Sequence, residues 1–577
     1  MLFRFGLLVA SVFSSLAIDP CSSIDRALLR NKDPNETTAC KCLIDPVPFD
    51  QNDNVWIGCT GHSMSMVFKA LGGLNETRVN RVHVWDSILN ILPAEMFEKV
   101  RPRILIVENS LTSVVRPGTF TQIGTRLVEL RLRNNAFKKR IENSMLNGLD
   151  RLQILDMSGN KLVSIKAGDL EGMSELRELI LNDNLISQID DRAFSSLSSL
   201  RILSIQGNHL TAITKDTFKG LDNLEYLYLQ NNKLESIDWS AFQHLKRLKH
   251  IDLGRNFLTN VDLRALEALE KLIINNNSIQ SLKSVTLKDL PSLVFLSLDR
   301  NAISEIDDLD LFGLAPSTRL DSLSMASNNI SVISARAFQH VSSLRTLALQ
   351  NNQILSLSTG STPILRSLRR LAVLLISGNQ LSALRESELP ITLQILSADH
   401  NQISHIDAAT FNSMRLQKLL LNDNLLAFLP KGTFDPLDLD ILQAIDLSAN
   451  KWQCVCTEEW LGSWLDKVGE RDVADGPLGC LVTRCEDDKL EEQDHSTWVT
   501  IAASILAAVS ILILISIAFL CFEDARAKMF VSKSFRRVDS DLLKLINDNE
   551  AKSDATRGVY MKPKSENSQK SVRFIGN

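Results

Sequence analysis

An asparagine recurs every 24 residues through the middle of this chain, at Asn160, Asn184, Asn208, Asn232 and Asn256. Each lies in the same frame, which in its first copy reads Leu152-x-x-Leu155-x-Met157-x-x-Asn160-x-Leu162. Aliphatic pairs follow at fixed offsets (Ile186 and Ile189, Leu210 and Ile213, Leu234 and Ile237), and three copies add Phe194, Phe218 and Phe242. Leu155 and Met157 alternate with Asp156, so the segment is a strand with one buried face. The asparagine sits where the chain leaves that strand. Its amide can satisfy backbone groups that the turn would otherwise bury unpaired, each such loss costing about 1–3 kcal/mol. The later aliphatics and the phenylalanine form the opposite wall. One coil of this kind cannot close a core alone, so neighbouring coils must share it.

This frame resembles the leucine-rich repeat, and the resemblance implies an α/β solenoid: a horseshoe with a concave parallel sheet. Repeats are expected over residues 62–450, in about sixteen coils. They begin weakly. Val82-x-Val84-x-x-Ser87-x-Leu89 keeps the frame with serine for asparagine, and Ile104-x-Ile106-x-x-Asn109 reads as the next coil. Phe97 and Phe120 hold the ring position. Beyond Asn135 and the regular block, the series runs through Asn277, Asn301, Asn328, Asn352, Asn379, Asn401, Asn424 and Asn450, with Phe338, Phe411 and Phe434. Longer coils at 307–320 and 358–370 are expected to bulge on the convex side, because the strand side must keep register.

Both flanks are rich in cysteine. Residues 18–61 contain Cys21, Cys40, Cys42 and Cys59; residues 451–485 contain Cys454, Cys456, Cys480 and Cys485, with Trp460 and Trp464 between. A solenoid needs its two open ends covered, and these segments resemble the cysteine-rich caps of extracellular leucine-rich repeat proteins. The resemblance implies disulfides Cys21–Cys42, Cys40–Cys59, Cys454–Cys480 and Cys456–Cys485. A zinc site is the competing reading of the first four.

Residues 1–17 read as a secretory signal, with Arg4 before an apolar run and small residues at Ser15 and Ala17. An acidic stalk at 486–497 precedes an uncharged apolar stretch at 498–522, long enough for one transmembrane helix. Arg526, Lys528, Lys533, Arg536 and Arg537 follow, which orients the chain as a type I protein of the plasma membrane. The tail, 523–577, carries +4 of a net charge of −5, and its composition is that of a short disordered segment.

The layout resembles transmembrane leucine-rich repeat proteins of invertebrates. These include chaoptin- and connectin-like adhesion molecules, nematode proteins that organise apical matrix, and a nematode protein linked to germ granules, moulting and larval development. That resemblance implies a non-enzymatic surface protein, apical in some relatives, that binds an extracellular protein or matrix ligand in adhesion, matrix organisation or development. A signalling receptor acting through tail adaptors, and a non-catalytic subunit of a secreted enzyme, are the alternatives. No phosphate loop, nucleophile elbow or histidine-rich metal motif occurs, so no cofactor is expected. No basic patch with interleaved aromatics points to nucleic acid.

The candidate partner surface is the exposed parity of the strands: Tyr226, Tyr228, His250, Asp252, Ile273 and Phe295. The chain has three tyrosines, so two flanking one leucine is a concentration of a favoured interface residue. Sequons at Asn35, Asn75, Asn276 and Asn329 are candidate glycan acceptors. Ser504 and Ala508 have the spacing of a helix-dimer contact, the basis for a homo-oligomer, and Cys521 is a candidate palmitoylation site. In the tail, Asp541, Leu545 and Ile546 resemble a sorting signal, against an amphipathic-helix reading. Tyr560 resembles a phosphotyrosine site for an adaptor, and Lys570, Val572 and Phe574 resemble a phosphatase docking motif.

Overall fold

The computed structural model describes residues 20–44, 54–452 and 459–469. The signal segment, the four C-terminal cysteines, the stalk, the apolar stretch 498–522 and the tail motifs lie outside the described residues. Among those described, no helix is long and apolar enough to cross a membrane, and no cluster of His, Cys, Asp or Glu could hold a metal ion.

The chain begins with a cover. Helix α1 (Pro20–Leu28) buries Cys21, Ile24 and Leu28, whose spacing places them on one helical face. Strands β1 (Cys40–Ile44) and β2 (Val55–Thr60) form an antiparallel hairpin with Cys40 opposite Cys59. Two disulfides, Cys21–Cys42 and Cys40–Cys59, tie α1 to β1 and β1 to β2. This is the pairing the cap resemblance implies. Helix α2 (Met64–Gly72) buries Val67, Ala70 and Leu71. Strand β2 then pairs in parallel with β3 (Thr77–Trp85), so the cap continues directly into the solenoid.

From there one strand per coil joins an 18-stranded sheet, parallel throughout apart from the first hairpin. This stack of leucine-bearing coils on a parallel sheet is consistent with a horseshoe. Register is kept from coil to coil, as in Ile154↔Glu178↔Ile202↔Tyr226. Leu155, Met157, Leu179, Leu181, Leu203 and Ile205 are fully buried, as the period of two requires.

The asparagines link successive coils. The Asn232 amide donates to the Ile205 carbonyl of the preceding coil at 3.0 Å and to the Leu229 carbonyl of its own at 3.0 Å. Its Oδ1 accepts from the Leu210 N–H at 3.1 Å. The Leu229 carbonyl also takes the next amide, from Asn256. Each carbonyl is therefore shared by two asparagines, and the row is continuous. The residue before each turn asparagine often adopts a left-handed conformation, as at Asp183 (φ 53°) and Asn231 (φ 57°).

One coil differs from the expected frame. At 104–107 the buried residues of the frame are Leu105 and Val107, paired with Val82 and Val84, and the turn position is Ser110 rather than Asn109. Asn109 instead takes the left-handed place before it (φ 50°). The run Ile104-Leu105-Ile106-Val107 is aliphatic at both parities, so alternation cannot mark its inner face.

The rear wall is a row of rings. Phe97, Phe120, Phe194, Phe218, Phe242, Phe338, Phe411 and Phe434 are fully buried, with centroids 5.6 Å apart at Phe218–Phe242 and 5.8 Å at Phe411–Phe434. In three consecutive coils the same offset holds Leu266, Leu287 and Leu311. Two of these coils carry rear strands instead, Val261–Arg264 and Val285–Lys288, paired in parallel. The coil after them contains a short 3-10 turn, Phe312–Leu314, and the coil at 358–370 contains a small hairpin, Ser358–Thr359 with Thr362–Pro363. After the last strand, Ala444–Asp446, helix Glu459–Val468 seats Trp464 on Phe434, 5.1 Å between centroids.

Candidate binding face

The six candidate residues fall on four adjacent strands: Tyr226–Tyr228, His250–Asp252, Lys271–Ile273 and Phe295–Ser297. Parallel register sorts them into two columns. Tyr226, His250, Lys271 and Phe295 are side by side, and Tyr228, Asp252 and Ile273 form the next column. All are partly exposed.

His250 is the centre of the group. Its ring lies 5.1 Å from Tyr228 and 6.4 Å from Tyr226. Its Nε2 is buried and meets no hydrogen-bond partner. Burial under the two phenol rings, with the charge of Lys271 added, lowers its pKa to about 3. Lys271 was not among the candidates, yet it sits between His250 and Phe295, its ammonium 5.5 Å from the Phe295 centroid. Lysine carries little weight when aromatics are being counted, and only the strand register shows that it completes the column. Asp252 is partly committed to the fold: one of its oxygens accepts from the Gly254 N–H at 2.9 Å. Asp156 and Asp446 do the same in their coils.

The His250 geometry fixes a pH dependence. Below its ordinary pKa of 6.5 the unfolded chain takes up a proton that the folded ring refuses until about 3. Stability from this site is therefore lost as pH falls from about 6.5 towards 3, with a slope of up to about 1.4 kcal/mol per pH unit. In acid titrations followed by denaturant unfolding, His250→Phe is expected to lose stability less steeply than the parent across that window. Equal slopes would refute this account of the ring.

A second aromatic group occupies the start of the same sheet. Trp56, His83 and Trp85 lie on β2 and β3 with centroids 4.6–6.4 Å apart, and the Arg81 guanidinium lies 5.8 Å from the Trp56 ring. The two indoles close over Gly58, where a Cβ would come within 2.9 Å of Trp56. His83 Nε2 is 2.8 Å from Glu108 Oε1, and the other Glu108 oxygen accepts from Arg133. Burial opposes charge on Glu108, but the His83 hydrogen bond and Arg133 outweigh it and hold the carboxyl at about 2. This group escapes a reading that treats cap and repeats as separate segments, because Trp56 belongs to one and Trp85 to the other. The signal available was two tryptophans of seven on one face of neighbouring strands, four register positions apart.

The four sequon asparagines, Asn35, Asn75, Asn276 and Asn329, are all exposed. Asn276 occupies the left-handed position of its turn (φ 55°).

A leucine rich repeat family profile matches residues 103–162, 125–186, 174–234, 223–272 and 318–381. Over these residues the solenoid is built of leucine-rich repeats. P-granule-associated novel protein 1 of Caenorhabditis elegans is 40% identical over 276 residues, which cover 45% of this chain and 46% of that protein. The match thus spans less than half the length of that relative. Among solved structures, the TLR13–ssRNA13 complex matches with a TM-score of 0.50 and 19% identity, over 70% of this chain and 65% of that one. The Toll–Spatzle complex of Drosophila matches with a TM-score of 0.46 and 18% identity, over 76% of this chain and 72% of the other. At 19% identity the first of these speaks to the leucine-rich repeat fold alone. Proteins of this fold are generally interaction scaffolds, and the exposed sheet positions are where individual residues depart from the repeat.

Proposed function

We propose that this is a non-enzymatic cell-surface protein that holds a macromolecular partner on its leucine-rich repeat sheet, in adhesion, matrix organisation or tissue development. The observation that carries the reading is the column Tyr226–His250–Lys271–Phe295 with Tyr228 beside it. Aromatic residues are concentrated on one continuous sheet surface there, as at the centre of an interface. The signal-like start, the apolar stretch 498–522 and the basic residues after it support delivery to the plasma membrane as a type I protein, with the exposed sequons as glycan acceptors.

The test is partner capture by surface proximity labelling on cells displaying the full chain. Tyr226→Ala/Tyr228→Ala is expected to lose most labelled partners while still folding, because Leu227, the fully buried strand residue between them, is untouched. Undiminished capture by that variant would sink the tyrosine-centred proposal. If Trp56→Ala/Trp85→Ala loses capture instead, the partner docks at the start of the sheet.

A further inference from the structure

The short strand Lys138–Arg140 carries three consecutive cations, Lys138, Lys139 and Arg140, and all three are exposed. A regular strand would send alternate side chains inward. The left-handed conformation at Lys139 (φ 70°) breaks that alternation, so no member of the run faces the core. The next coil lays strand Lys161–Ile165 alongside in parallel, with Lys161 directly opposite Lys138. Adjacent strands run about 5 Å apart, so two exposed lysines leave neighbouring coils side by side, a placement that like charges disfavour. Both strands belong to a small three-stranded sheet, separate from the one that presents Tyr226.

Carboxylates answer only part of this charge. Arg140 pairs with Asp169 at 3.2 Å, and Lys166 with Asp190 at 3.0 Å. Glu142 is exposed and close enough to act on Asp169. Among the described residues, no carboxylate pairs with Lys138, Lys139 or Lys161. The chain as a whole carries a net charge of −5, so three unanswered lysines on two adjacent coils run against its composition. Protection of a sheet edge explains some of them: Lys138–Arg140 is the outer strand of its sheet, and lysines blunt an edge against unwanted pairing. Lys161 stands on the middle strand, where no edge needs protection.

We propose that Lys138, Lys139 and Lys161 are the centre of a site for a sulfated linear polysaccharide, whose sulfates take the ammonium groups as partners. Lysine meets anionic oxygens as a compact, rotatable point charge, which suits a flexible polymer of closely spaced charges. Two other polyanions match the surface less well. Single-stranded nucleic acid uses exposed rings on which its bases stack, and Phe137, the ring of this coil, is 2% exposed. An anionic bilayer takes up a broad apolar face, and the exposed aliphatics on these strands and the coil that follows are Val163 and Leu185. The ligand class rests on the cell-surface reading given above, since such polysaccharides are extracellular. The site itself shares no residue with the Tyr226 face.

The full chain, purified in detergent, is tested on immobilised heparin at about 0.15 M salt. Binding is expected, and it should weaken as salt rises because each ion contact releases condensed counterions. Lys138→Gln/Lys139→Gln/Lys161→Gln is expected to weaken it about tenfold or more, and to make the fall of log affinity with log salt shallower by about one for each lysine removed. Its melting temperature should equal or exceed the parent's, because opposed like charges are gone while Arg140 and Lys166 keep their partners. Lys219→Gln/Lys233→Gln/Lys431→Gln removes the same charge from exposed positions elsewhere and should bind heparin as the parent does. So should Tyr226→Ala/Tyr228→Ala, which separates this site from the partner face. Absence of heparin binding, parent-like affinity of the folded Lys138/Lys139/Lys161 variant, or an equal loss in the lysine control would overturn the proposal. So would desulfated heparin binding as well as heparin, or tighter binding to phosphatidylserine vesicles or a thymidine oligonucleotide.

Discussion

Asn232→Ala is expected to destabilise its coil by about 2–5 kcal/mol while leaving distant coils unchanged. The Ile205 and Leu229 carbonyls would each keep a second donor, Asn208 and Asn256 respectively. The Leu210 N–H would not, since its acceptor is Asn232 Oδ1. One orphaned buried donor accounts for about 1–3 kcal/mol, and the lost hydrogen bonds and the vacated space supply the rest. Native-state hydrogen exchange should show protection falling by roughly thirtyfold or more over residues 205–234, since 1.4 kcal/mol is a factor of ten. The first coils, behind their cap, should exchange as in the parent. Protection lost evenly along the chain would contradict the nearest-neighbour account; no loss at Leu210 would contradict the hydrogen-bond assignment.

The other large effect is expected at the cap. Cys40→Ser/Cys59→Ser removes the bond that closes β1 onto β2. Loss of a native disulfide costs about 2–5 kcal/mol. Both positions are essentially solvent-free, at 1% and 0% exposure, so the new hydroxyls add a desolvation cost of about 1–3 kcal/mol unless they find partners. Loosening β2 uncovers the edge of β3 and the buried Val79, Val82 and Val84 behind it. The variant should show a lower melting temperature and binding of a hydrophobic dye. Cys21→Ser/Cys42→Ser should be milder, because α1 remains attached through β1. Parent-like melting of the Cys40/Cys59 variant would show that the hairpin needs no covalent closure.

The repeat frame was legible because buried leucines and turn asparagines recur at fixed spacing and each spacing has a physical cause. The first cap was legible through its resemblance to known flanks, which implied both observed disulfides. Two things were not legible. In the Ile104–Val107 run, both strand faces are aliphatic, and the register was settled by pairing with Val82 and Val84 rather than by pattern. Lys271 and the Trp56–His83–Trp85 group depend on which strand lies beside which, and coils of unequal length hide that alignment.

The shared carbonyls have a mechanical meaning. Under tension each coil is fastened to the next by a side-chain amide as well as by its strand, and no fastener spans more than one junction. Load along the solenoid is therefore borne in series, and a peeling front meets one small barrier per coil. At 24 residues per turn of the frame, each coil released would yield about 80 Å of extended chain. At the start, Cys21–Cys42 and Cys40–Cys59 make the first fasteners covalent. A solenoid built this way would give way gradually and reseat one coil at a time when the pull is released.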